Sequence, residues 1–273
     1  MKDDPGSRFR ALHVRGQPLV MPNPWDAGSA RMMAAMGAQA LGTSSAALAF
    51  TLGYTDGHGI DRDTHLAHAQ DLVAATGLPV SGDFENGYGD APEDVADIVR
   101  LAAEAGLAGI GIEDTALPGT APYPFDLAVE RIRAALSAAR ALPRDFVVTA
   151  RTDVVLLGTA DADEALRRLQ AFDEAGADCL YAPMGSGMDI QARICATCRA
   201  PVNVLVTGAF AAESRDSLAR IGAARISFGS GALRAVAQTL HDVSAAALGP
   251  EGRFDPLARA LPFATLDPML RGS

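Results

Sequence analysis

The chain has 273 residues, 49% of them hydrophobic and 21% charged, which gives material for a large core and excludes wholesale disorder. A formal charge of −10 repels phosphate backbones and anionic lipid, arguing against nucleic-acid and membrane-surface partners. No apolar run approaches the ~20 residues of a membrane span, Met1-Lys2-Asp3-Asp4-Pro5 lacks a signal-peptide core, and three cysteines are too few for a disulfide framework, so the expected location is cytoplasmic.

Short apolar runs alternate with helical patterns along the whole chain. Strands are predicted at Pro18–Met21, Ala40–Gly42, Val80–Gly82, Gly109–Ile112, Phe146–Ala150, Cys179–Ala182, Val202–Val206 and Arg225–Phe228. They are short and continuous, as strands buried on both faces are. Helices are predicted between them, among others at Glu93–Glu104, Asp126–Ala141, Asp161–Glu174 and Ser214–Ile221, several opened by capping residues. One phrase recurs: a helix ends in Gly37, Gly106, Gly176 or Gly222, then turns straight into a strand. Four such returns among eight β units predict an α/β fold, a (β/α)8 TIM barrel. A doubly wound sheet is the weaker alternative, because no G-x-G-x-x-G follows the first strand. The chain reads as one domain over 1–273, with the barrel at about 9–247 and a tail at 248–273.

In such a barrel the chemistry lies at the C-terminal strand ends. Asp83 and Glu85 end the third strand, and alternation puts their side chains on one side if the chain stays extended. Glu113 and Asp114 end the fourth strand, and Asp56 follows the second. Carboxylates crowded into one mouth either take up protons or are neutralised by a cation. Hard oxygen donors with room for water suit Mg2+ or Mn2+. Each acid taken alone could equally cap a helix or solvate a loop; Asp83, Glu85 and Glu113 together favour a metal site. Asp90 and Asp114 remain candidates for structural acids.

These segments resemble the isocitrate lyase/phosphoenolpyruvate mutase superfamily. Asp83-Phe84-Glu85-Asn86-Gly87-Tyr88-Gly89 is similar to its D-x-D-x-G-[YF]-G. Asn23-Pro24-Trp25-Asp26-Ala27, Thr43-Ser44-Ser45 with Asp56, Gly111-Ile112-Glu113-Asp114 and Ala150-Arg151-Thr152-Asp153 support it, over about Phe9 to Arg234. The resemblance implies a (β/α)8 barrel, often with its last helix exchanged between subunits, that binds Mg2+ and a small carboxylate substrate. It implies cleavage of a C–C or P–C bond beside an enolpyruvate-like fragment, where a divalent ion stabilises the charge developing on the enolate oxygen. It further implies Asp83 as principal metal ligand, with Glu85 and Glu113 holding water of the ion's shell. Trp25, Ser44, Ser45 and Ala46 would line the substrate, the last two mainly through backbone N–H. Asp56 would support the metal shell or the reacting group, and Arg151 would meet an anionic part of the substrate. Two bland alternatives stay open: Arg151 as a salt-bridge partner of Glu113 or Glu85, and Trp25 as a core or lid aromatic.

The segment after the fourth strand departs from the family. Isocitrate and methylisocitrate lyases carry K-[KR]-C-G-H there, and the mutase and phosphonopyruvate hydrolase branch carries a Lys. Thr115–Phe125 contains no Cys, Lys, His or Asn, and Lys2 is the only lysine in the chain. This argues against isocitrate cleavage and counts against a phosphoryl-moving mutase. Tyr123 is a candidate proton donor, with packing of the lid as its alternative. The leading reading is a Mg2+- or Mn2+-dependent lyase that cleaves a C–C bond, by retro-aldol cleavage or decarboxylation. The alternatives are an enzyme of phosphonopyruvate and an inactive carboxylate-binding barrel.

The remaining features carry weaker signals. Gly229-Ser230-Gly231 could bind phosphate or merely turn the chain. His58, His65 and His68 read as a solvated loop and helix surface, and His13 and His241 belong to no constellation. Cys195 and Cys198 read as packed thiols. The apolar stretch Ala232–Ala247 and the tail Leu257–Leu270 point to a homodimer or homotetramer.

Overall fold

The computed structural model describes residues 4–57, 59–184 and 187–271. In chain order its elements are α1 (Pro5–Ala11), β1 (Leu19–Met21), α2 (Ala27–Ala35), β2 (Leu41–Gly42), α3 (Ser45–Thr51), α4 (Arg62–Thr76), β3 (Val80–Asp83), α5 (Pro92–Glu104) and β4 (Gly109–Glu113). They continue as α6 (Phe125–Arg140), β5 (Val147–Arg151), α7 (Ala162–Glu174), β6 (Cys179–Tyr181), α8 (Met188–Thr197), β7 (Val202–Leu205), α9 (Arg215–Arg220), β8 (Arg225–Ser227), α10 (Gly231–Leu248) and α11 (Phe263–Leu270).

All eight strands are parallel and follow the order β1-β8-β7-β6-β5-β4-β3-β2. The two ends meet where the Gly42 N–H donates to the Pro22 carbonyl at 3.0 Å, so the sheet is a nearly closed (β/α)8 barrel. Every predicted strand is present, with ends shifted by no more than one residue. The four helix-to-strand glycines have φ between 90° and 95°, a conformation in which a Cβ would be strained.

The helices form where apolar side chains recur at helical spacing. On α5, Val95, Ile98, Val99, Ala102 and Ala103 are buried, and they face the Ala128, Val129, Ile132 and Leu136 stripe of α6. Pro92 at the first turn and an Asp94 carboxylate accepting from the Ala91 N–H start α5. The main core lies between this ring of helices and the outer strand faces.

Two buried guanidiniums tie the ring to the C-terminal mouth. Arg131 of α6, 1% exposed, donates to the carbonyls of Asn86, Gly89 and Asp90 and stacks over Tyr123 at 4.1 Å. It thereby pins the loop after β3. Arg168 of α7 pairs with Asp114 at 3.1 Å, and Asp114 also accepts from the Asp153 N–H. Asp114 is therefore a structural acid, as is Asp90, whose carboxylate accepts from the Tyr123 hydroxyl.

The C-terminal end differs in character. No residue of α10 is buried, and its Leu240 and Leu248 are exposed, as are Phe254 and Phe263 beyond it. Helix α11 returns to α2, where Arg31 donates to the Leu270 carbonyl at 3.0 Å. No helix among the described residues is long and apolar enough to cross a membrane.

Replacing Arg131 by Met should leave three carbonyls, the buried one of Asn86 among them, without their donor. A loss of about 3 kcal/mol in unfolding free energy is expected, read as a lowered urea midpoint at unchanged slope; an unaltered midpoint would refute this role.

Candidate active site

A cavity of about 240 Å³ opens at the C-terminal mouth of the barrel. Its rim includes Ser44, Ser45, Ala46, Asp56, Asp83, Arg151 and Ser230, and its floor includes Thr149, Asn203, Arg225 and Ser227. Six of the residues expected from the sequence thus share one space: Asp56, Asp83, Arg151, Ser44, Ser45 and Ala46.

Asp83, Glu113 and Arg151 are the last residues of β3, β4 and β5, so the ladders hold their backbones in place. Glu113 and Arg151 are register partners, and Asp83 lies opposite Gly111. The Arg151 guanidinium joins the three strand ends. It pairs with Glu113 at 2.6 Å, reaches Asp83 at 3.4 Å, and grips Asp153 through two bonds of 2.7 and 2.8 Å. The salt-bridge reading of Arg151 therefore holds for Glu113, while its guanidinium also faces the cavity.

Asp83 is held from the other side. The Ser45 N–H and hydroxyl both donate to its Oδ2, at 3.0 and 3.1 Å. Its own N–H donates to Thr43 Oγ1 at 2.7 Å. Two expectations change here. The Ser45 N–H is spent on Asp83 rather than left for a substrate, and Ser44 Oγ accepts from the Ala47 N–H as the cap of α3.

Glu85 departs from the extended geometry on which its alternation with Asp83 was reckoned. The strand ends at Asp83, and Glu85 has φ +52°. Its carboxyl lines a neighbouring cavity beneath the lid, with Leu117 and Pro118, instead of the main one. Burial, then repulsion from Asp83 and Asp56, pushes it up to about 7. Burial also raises Asp56, helped by Asp83, and raises Glu113 well above the carboxylate range against the pull of Arg151.

Among the described residues no three His, Cys, Asp or Glu side chains converge into a cage for an ion. The donor set still fits a hard cation that keeps most of its water and asks for few direct carboxylates. The chemistry favours one: the acids outnumber the guanidinium that links them, and burial, with repulsion between the acids as a lesser cause, raises the carboxyls of Glu85 and Glu113.

Three other expectations are revised. Tyr123 is buried outside the cavity; its hydroxyl donates to Asp90 at 2.5 Å and accepts from Asn86 at 2.8 Å, so it packs the lid and is not poised as an acid. Trp25 is half-buried and lies outside the cavity lining, its backbone fixed by Ser29 and by His68, which bonds its carbonyl at 3.0 Å. His65 is not solvated: it is 1% exposed, stacks on Phe84 at 4.5 Å and meets the Tyr88 hydroxyl at 2.7 Å. His58 lies outside the described residues. The amides of Phe228 and Gly229 both donate to Asn23 Oδ1, at 2.8 and 2.9 Å, which accounts for the glycine turn without a phosphate.

Asn23 and Asp153 stood in quoted motifs without a role of their own, and two cavity residues escape a motif reading, Asn203 and Arg225. The signal for the last two was a polar side chain inside an otherwise apolar strand, in Val202-Asn203-Val204 and Ala224-Arg225-Ile226. His13 belongs with them, since its Nε2 lies 3.2 Å from the Arg225 guanidinium.

The comparisons with known proteins agree with the fold. A family model described as phosphoenolpyruvate phosphomutase matches residues 9–248. A crystal structure from Burkholderia cenocepacia J2315 is similar with a TM-score of 0.92 and 45% identity, covering 98% of this chain and 95% of that one. The 2-methylisocitrate lyase of Salmonella typhimurium is 30% identical over 88% of this chain and 83% of its own. The oxaloacetate decarboxylase of Chromohalobacter salexigens is 30% identical over 86% and 82%.

Burial, reinforced by Arg225, lowers the His13 imidazole to about 3. Its pKa is therefore lower in the folded than in the unfolded chain, so its contribution is complete above about pH 6.5 and is lost as pH falls toward 3. His13→Gln should remove about 2 kcal/mol of the stability difference between pH 7 and pH 5, measured by urea titration at each pH; parallel pH profiles for the two proteins would refute it.

Proposed function

The chain belongs to the isocitrate lyase/phosphoenolpyruvate mutase superfamily, and from that premise we propose that it is a divalent-metal-dependent carbon–carbon lyase of a small 2-oxo or 2-hydroxy carboxylate. The observation that carries this reading is the meeting of Asp83, Asp56, Arg151 and the Ser44–Ala46 segment on one cavity at the strand ends. The similarity to a 2-methylisocitrate lyase and an oxaloacetate decarboxylase supports C–C chemistry over other uses of the barrel.

Asp83 would hold the ion directly, fixed in direction by Ser45 and Arg151, with Glu113 reaching it through water. When bound, Mg2+ or Mn2+ supplies Lewis-acid stabilisation of the charge that develops as the bond breaks. Arg151 keeps its carboxylate partners from repelling one another and turns a planar donor face toward the substrate anion. Asp56, raised by burial at the cavity rim, is the side chain suited to exchange a proton with the reacting group. The lid folds back through the Ala116 N–H to the Ala121 carbonyl at 2.9 Å and brings no protic side chain into the main cavity. Decarboxylation of a 3-oxo acid asks least of such a lid, since solvent can protonate the product after release. Phosphonopyruvate gains no support from the lid, which has no lysine.

We also propose that the chain works as one barrel unit in a homodimer or homotetramer, with α10 and the tail packed on a neighbouring copy. The unburied apolar residues of α10 support this, because a closed barrel leaves them no face of their own.

Two measurements test these readings. Oxaloacetate, 2-methylisocitrate, 2,3-dimethylmalate and phosphonopyruvate are offered with Mg2+ or Mn2+, following pyruvate, CO2 and phosphate. Pyruvate release that stops with EDTA and falls at least about a hundredfold in Asp83→Ala is expected; full turnover in that variant removes the metal proposal, and phosphate release alone removes the C–C reading. Light scattering should give two or four times the 28.2 kDa chain mass, and a monomer at micromolar concentration would overturn the assembly.

A further inference from the structure

We propose that His65 is a positioning residue for the strand-end acids: from α4 it fixes the loop after β3 through Phe84 and Tyr88, and that loop fixes Asp83 and Glu113. The proposal rests on the divalent-metal reading and adds to it a residue that lies outside the cavity lining.

The backbone of the loop shows what has to be held. Glu85 and Tyr88, two residues with a Cβ, stand in left-handed conformations, at φ +52° and +62°. Such conformations persist only where the surroundings over-determine them. Both acids assigned to the ion depend on this stretch. Asp83 immediately precedes it, and the Glu113 N–H donates to the Glu85 carbonyl at 2.9 Å. A loop that relaxed to ordinary φ values would release the backbone at both.

His65 holds the side chains on either side of Glu85. Its ring is 1% exposed and stacks on Phe84, with centroids 4.5 Å apart and planes inclined by 24°. Phe84 in turn packs so closely on Gly82 that a Cβ there would lie 2.3 Å from its ring. The His65 Nδ1 meets the Tyr88 hydroxyl at 2.7 Å. From Tyr88 a chain of bonds runs on toward the lid. The Tyr88 N–H donates to Asn86 Oδ1 at 3.1 Å, Asn86 Nδ2 donates to the Tyr123 hydroxyl at 2.8 Å, and that hydroxyl donates to Asp90 at 2.5 Å. His65 is thus the end of a polar chain that joins α4, the β3 loop and the base of the lid.

The imidazole is an expensive way to fill its space. Burial lowers it to about 4, so the ring is neutral, and its buried Nε2 has no hydrogen-bond partner. An aliphatic side chain would occupy the position without an unmatched nitrogen. What the imidazole adds over one is the bond to Tyr88 and a flat face for Phe84, and both act on the loop.

The test is a Mn2+ titration of the full chain, read by the relaxation of water protons, with urea unfolding of each variant beside it. The intact protein should bind Mn2+, and Asp83→Ala should lose it. His65→Leu should weaken Mn2+ about tenfold. Tyr88→Phe, which removes one hydroxyl and leaves the fold intact, should weaken it in the same direction. The double variant should be no weaker than His65→Leu alone, because both changes break the same bond. His65→Asn, which keeps a polar atom at the place of Nδ1, should recover most of the affinity. A role confined to stability would lower the urea midpoint and leave Mn2+ affinity alone; that result, or additive losses in the double variant, would overturn the proposal. If Asp83→Ala abolishes binding while His65→Leu and Tyr88→Phe do not weaken it, the metal reading stands and His65 alone is refuted. If Asp83→Ala binds as the intact protein does, the metal reading fails and takes the role of His65 with it.

Discussion

One guanidinium shared among three carboxylates organises the mouth of this barrel. Arg151 ends β5 and bonds Glu113 on β4, Asp83 on β3 and, through a two-bond fork, Asp153 just beyond its own strand. Without it, acids at adjacent strand ends would repel one another in a poorly solvated space. With it, the charge is still not balanced. Burial, with repulsion from neighbouring acids behind it, raises the carboxyls of Glu85 and Glu113, and the chain turns at Glu85 into a left-handed conformation. Crowded acids of this kind either hold protons or are neutralised by a cation, and the superfamily to which the chain belongs is consistent with the second.

Everything behind the mouth serves to keep it rigid. Arg131 holds the loop after β3 by three carbonyls, and Asp114 is fastened to Arg168 and to the Asp153 N–H, so both ends of the Arg151 fork are anchored. Asn23 joins the ends of β1, β2 and β8 by donating to the Thr43 carbonyl and accepting from two amides just beyond β8. These are interactions of buried charge and buried amide, strong because water does not compete. The cavity they enclose is polarised, with Asp56 and Asp83 at its rim and Arg225 on its floor.

The lid takes a lesser part than its sequence position suggests. Tyr123 faces Asp90, Asn86 and Arg131 and secures the lid's base. Its hydroxyl is engaged twice, donating to Asp90 and accepting from Asn86.

The sequence by itself determined the eight-stranded barrel, because apolar runs, helix periodicity and four capping glycines are local properties that each specify their own element. It also determined which strand ends bear acid, and hence that Asp56, Asp83 and Arg151 gather at one mouth. Only the tertiary structure decided how those groups divide their bonds. Ser45 turned to Asp83, Glu85 moved to a second cavity, Tyr123 sank beneath the lid, and Arg225, Asn203 and His13 met on the floor. Those outcomes depend on side chains from strands and segments far apart in the chain, up to 212 residues between His13 and Arg225. Periodicity records which face a residue takes; it does not record which neighbour waits on that face.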